Sequence, residues 1–162
     1  MNASRWARGA QVELAGTGYL YTLAVVATTF AGFSALTMIF RQMLGGQMTK
    51  LDSFVSRIFI QLGFMTTFGS MLPPLLALFD IPAMIVWRAS SAVMAVLLGW
   101  WALTFPRRRH TASPTKVPKP VWFVIAVLDF AALALTVNAM MAPAERAVGV
   151  YAAAVTAILT GG

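Results

Sequence analysis

The chain has 162 residues, of which 59% are hydrophobic and only 10% charged, and its mean hydropathy is +0.77. Soluble domains carry about 25% charged residues, so this chain has too few charges to cover a water-facing surface, and the same composition excludes intrinsic disorder. The net charge of +7 suits the basic cytoplasmic loops of a membrane protein. The absence of cysteine removes disulfides, thiolate metal sites and Cys nucleophiles. What remains is an all-α fold, a polytopic helical membrane protein with four transmembrane helices and a short fifth helix.

Residues 1–18 form a polar N-terminal segment in which Arg5, Trp6, Arg8 and Glu13 suit a membrane surface. Residues 19–162 read as one transmembrane domain without an internal repeat. The first apolar run, 19–40, is too long for a signal-peptide core. Residues 41–57 form a polar link with Gly45-Gly46 as its turn, and Thr49, Asp52 and Ser53 offer N-cap chemistry. The second span, 58–79, contains Pro73-Pro74, which predict a kink. Asp80 is expected to cap the third helix, with Pro82 in its first turn.

The third span, 83–105, is expected to stop at Pro106. Residues 106–120 then form an extended basic loop. The fourth span is 121–141. A fifth helix starting at Pro143 or Ala147 would barely be long enough to cross.

Basic residues fix an expected orientation. Arg41, Lys50 and Arg57 lie in the first link; Arg107, Arg108, Arg109, Lys116 and Lys119 lie in the second. Arg5, Arg8 and Arg146 fall on the other side. The positive-inside rule puts links 41–57 and 106–120 in the cytoplasm and the N-terminus outside, in a bacterial inner membrane. The basic loop is expected to touch anionic lipid headgroups. It lacks the aromatic interleaving of a nucleic-acid surface. Tyr19 and Tyr21 mark one interface; Trp100, Trp101 and Trp122 mark the other. Small residues at Ala27, Ala31 and Ala35, at Ala153, Ala157 and Gly161, and at Gly63 and Gly69 predict close helix packing, within the monomer first and between copies as the alternative for the two alanine stripes.

Among polar residues inside the spans, Asp129 is the sharpest. It lies about 12 Å into the fourth span, near the bilayer midplane. A carboxylate there costs at least about 2.5–3.5 kcal/mol and needs a partner or a proton. Thr66 and Thr67, with Thr28 and Thr29, are expected at its depth. Arg88 lies about 8 Å from the outer edge. It is expected to snorkel, or to pair with Asp80, Glu145 or Asn138. About 10 Å of depth separates it from Asp129, too much for a salt bridge. Arg57 and Gln61 share a helix face, the first as an interfacial anchor and the second as an interhelical hydrogen bonder.

The missing chemistry points away from an enzyme. His110 is the single histidine, so a bis-His haem between the spans is excluded. No HExxH or GxSxG motif is present, and no metal or cofactor is expected. The sequence therefore reads as a non-enzymatic accessory or structural subunit of an inner-membrane assembly, in a homo- or hetero-oligomer. The alternative is a small homo-oligomeric cation or proton channel or transporter built on Asp129.

Overall fold

Apolar runs bounded by glycine, proline and charged residues become five helices among the described residues. They are α1 (Thr17–Met43), α2 (Lys50–Ala77), α3 (Ala83–Ala112), α4 (Lys119–Met141) and α5 (Ala144–Gly161). The computed structural model describes residues 14, 16–46, 50–112, 119–141 and 144–161. Side chains are described at 14, 16–46, 53–108, 124–141 and 146–160. The first four helices are long and apolar enough to cross a membrane; α5 is a shorter apolar helix. The chain is thus an all-helical protein with the make-up of a multi-pass membrane protein.

The helices run further than the apolar spans, because the flanking lysines and arginines are themselves good helix formers. α2 already begins at Lys50, and α4 at Lys119. α3 does not stop at Pro106 but continues through it to Ala112. Pro106 removes one backbone donor and stands exposed six residues before the helix ends. Arg107, Arg108 and Arg109 therefore ride on the last turns of α3, not on an extended loop. Lys116 lies outside the described residues, as do Thr49 and the segment holding Arg5, Trp6, Arg8 and Glu13.

Turn chemistry holds at one link and differs at the next. α1 ends in a Schellman motif: the Gly46 N–H donates to the Arg41 carbonyl at 3.1 Å and the Gly45 N–H to that of Gln42 at 3.2 Å. Gly45 has φ +75, open to glycine. Asp80 does not cap α3. It takes φ +55 and closes α2, its N–H donating to the Ala77 carbonyl at 3.3 Å. Asp tolerates this left-handed conformation better than most residues. Pro82 stands in the N-cap position instead, its carbonyl accepting from Ile85 and Val86. α2 passes through Pro73 and Pro74 and ends at Ala77.

Neighbouring helices pack in sequence order, and α5 touches all four others. The shortest helix is thus the hub. Its Tyr151, Val155 and Ile158 are fully enclosed. α1 and α2 approach most closely where a Cβ on Gly63 would stand 2.7 Å from the Ala31 Cβ and 3.2 Å from the Ala27 carbonyl. The alanine stripe of α1 is therefore an internal packing seam. In the stripe of α5, Ala157 is half-buried against the core and Ala153 is exposed, because Ala147, Tyr151, Ala154 and Ile158 occupy the inward face. Phe54 meets Phe105 with ring centroids 6.0 Å apart, joining the start of α2 to the C-terminal part of α3. Both basic links accordingly lie at one end of the bundle.

Candidate functional site

Two polar features stand out, one inside the bundle and one on its outer wall. The inner one begins with the tandem prolines. Pro73 has no N–H, so the Gly69 carbonyl one turn earlier lacks its helical donor. The Tyr151 hydroxyl of α5 supplies the missing bond at 2.6 Å. Tyr151 also meets Trp87 of α3 edge-on at 5.5 Å. Gly69 lies against α3, where a Cβ would stand 2.9 Å from Met94 Cε, the movable end of a flexible side chain.

One turn further from the basic end, Asn138 of α4 ties three helices together. Its Nδ2 donates to Ser91 Oγ at 2.8 Å and to the Ala147 carbonyl at 3.1 Å. The Ser91 hydroxyl in turn donates to the Trp87 carbonyl at 2.8 Å. Thr66 Oγ1, Ser70 Oγ, Ser90 Oγ, Arg88 Nε and Asn138 Oδ1 are enclosed without a hydrogen-bond partner among the described residues. This seam holds hydroxyls, an amide and a guanidinium nitrogen. It contains no pairing of nucleophile with base.

The sequence-predicted residues are distributed unequally over these features. Asn138, Thr66 and Arg88 belong to the inner seam. Thr67 does not reach Asp129; it donates to the Gly63 carbonyl at 2.9 Å and meets Thr28 Oγ1 at 3.1 Å. Gln61 is half-buried on α2 and Arg57 exposed. Arg107 and Arg108 are exposed; the side chains of Arg109, Lys119 and Glu145 lie outside the described residues. Arg88 is half-buried, and among the described residues it makes neither an ion pair with Asp80 nor a hydrogen bond with Asn138.

Asp129 is the second feature, and it faces outward. It is exposed on α4, which packs on α3 and α5 and touches neither α1 nor α2. The depth-matched threonines of those two helices are therefore out of reach, a correction to the expected pairing. The Asn138–Ser91 bond fixes the register between α3 and α4. From it, Arg88 lies about 4.5 Å toward the link between α2 and α3 and Asp129 about 13.5 Å toward the basic end, so the two are about 18 Å apart along the axis. Asp129 is ten residues from Lys119 and twelve from Met141, which places it about midway along the span.

Comparison with protein-family models, with curated proteins and with solved structures gives no match for the chain.

Sequence reasoning passed over Tyr151, Ser70 and Ser90. A signal for the first was present. Tandem prolines in an apolar helix free two carbonyls, and few residues at matching depth can donate to them.

Proposed function

We propose that the protein is a non-enzymatic subunit of a larger assembly in a bacterial inner membrane, with its basic end in the cytoplasm and its N-terminus outside. The outward position of Asp129 carries this reading. A protomer that buries its own polar seam yet leaves its one mid-span acid on the outer wall is built to meet another helix there. Acids in spans almost always face a bundle interior or a water-filled cavity, and assembly turns the outer wall of α4 into an interior. Arg107, Arg108, Arg109, Lys116 and Lys119 touch anionic headgroups and hold the orientation.

Extraction from the native membrane in mild detergent tests this. A stoichiometric second protein is expected; the chain alone, as a single homo-oligomeric species, would contradict it.

The same outward placement favours a second reading, a ring of copies whose Asp129 side chains select cations or protons. It requires cation or proton flux in liposomes of the purified chain, abolished by D129N.

A further inference from the structure

We infer that the outward face of α4 seats a transmembrane helix of a different protein, one that carries a lysine or arginine near the middle of its apolar stretch. The inference rests on the subunit reading and names the chemistry of the partner.

α4 has two opposite seams. Leu128, Ala131, Leu135 and Asn138 are buried in the bundle. Ala126, Asp129, Leu133, Thr136 and Met140 are exposed and lie about 200° round the helix from them. Both sets follow the alternating three- and four-residue spacing that keeps one helix in register with another over several turns. Leu133 is 60% and Met140 74% exposed. Thr136 already donates to the Ala132 carbonyl at 2.8 Å. On this outer seam, Asp129 is left as the group whose hydrogen-bonding and charge are unused.

The charge selects the occupant. Among the described residues a second copy brings no cation to this height: Arg88 lies about 18 Å outward, and Lys119 about 15 Å inward at the start of α4. Two copies meeting along this seam would set Asp129 against Asp129, an arrangement that needs a shared proton or an added cation, since neither copy supplies an opposite charge there. A foreign helix with a basic side chain at mid-span supplies the opposite charge, and its apolar side chains cover Leu133 and Met140.

A photo-crosslinking residue at position 133, in the full chain in its own membrane, tests this; Leu103 on α3, 77% exposed, is the control position. The adduct from position 133 is expected to join a transmembrane peptide of another protein with Lys or Arg within about one turn of its midpoint. D129N is expected to lower its yield about tenfold or more. Asp129 has no bonding partner among the described residues, so D129N should elute from a sizing column as the parent does when dispersed in strong detergent. D129K combined with Asp at the partner's basic position should restore the adduct.

An adduct between two copies of this chain overturns both this inference and the subunit reading. An adduct to a helix without a basic residue, an adduct from position 103 but not 133, or a yield indifferent to D129N overturns this inference and leaves the subunit reading standing. Lipid adducts alone at position 133 also overturn it.

Discussion

The Tyr151 hydroxyl of α5 donates to the Gly69 carbonyl of α2 at 2.6 Å, and that carbonyl is the one Pro73 leaves without a helical donor. The proline and the tyrosine are therefore a coupled pair, although they lie on different helices. In lipid no water is available to replace the lost bond. Y151F should destabilise the protein by about 1–2 kcal/mol, read as a lower unfolding midpoint in detergent. The P73A change restores a backbone donor, so Y151F should cost clearly less in that background. Additive effects of the two changes would show that the bond does not compensate the proline.

Close approach of α1 and α2 depends on Gly63. G63A forces a methyl to within 2.7 Å of the Ala31 Cβ and 3.2 Å of a backbone carbonyl. Backbone cannot move aside cheaply, so a loss of about 1–3 kcal/mol is expected in the same unfolding measurement. G32A, where a Cβ meets nothing within 4 Å, is the matched control and should be neutral or slightly stabilising. Equal effects at both positions would contradict the packing seam.

Asn138 holds α4 to α3 and to the first turn of α5. N138A removes two donated bonds and leaves Ser91 without its incoming proton, at a cost of about 1–3 kcal/mol. The expected sign is local: faster amide hydrogen exchange at the start of α5, with α1 and α2 unchanged. Uniformly faster exchange across all five helices would argue that Asn138 acts on global stability instead.

The orientation is testable because the chain has no cysteine. A single S113C thiol should react with a membrane-impermeant maleimide only when the cytoplasmic face is open. Replacing Arg107 and Arg108 together by Gln should produce a mixed population, since the basic bias sets topology. Labelling of S113C in intact cells would reverse the assignment of the two faces.

Much of the fold was legible because the bilayer simplifies the problem. Runs of about 20 apolar residues bounded by charge have few alternatives to spanning helices. The Gly45-Gly46 stop was readable from glycine's freedom at positive φ. The ends at Lys50 and Ala112 were not, because the apolar run marks only where lipid ends and says nothing of how far a helix continues into water. The candidate site was legible by residue and not by direction. Asp129 and Asn138 sit on one helix, nine residues apart. Hydropathy treats both as polar intrusions; only the packing of α4 on α3 and α5 turns one inward and the other out. Tyr151 was hidden because its partner is a backbone carbonyl created by a proline 78 positions away, a relationship with no local pattern.

The central claim is that Asp129 faces a partner and not lipid. The most direct measurement is the mass and composition of the native complex extracted in mild detergent, for the parent chain and for D129N side by side. The account predicts a stoichiometric second protein with the parent chain and its loss with D129N, while the variant chain stays folded. A parent chain that runs alone, or a complex that D129N leaves intact, would contradict it.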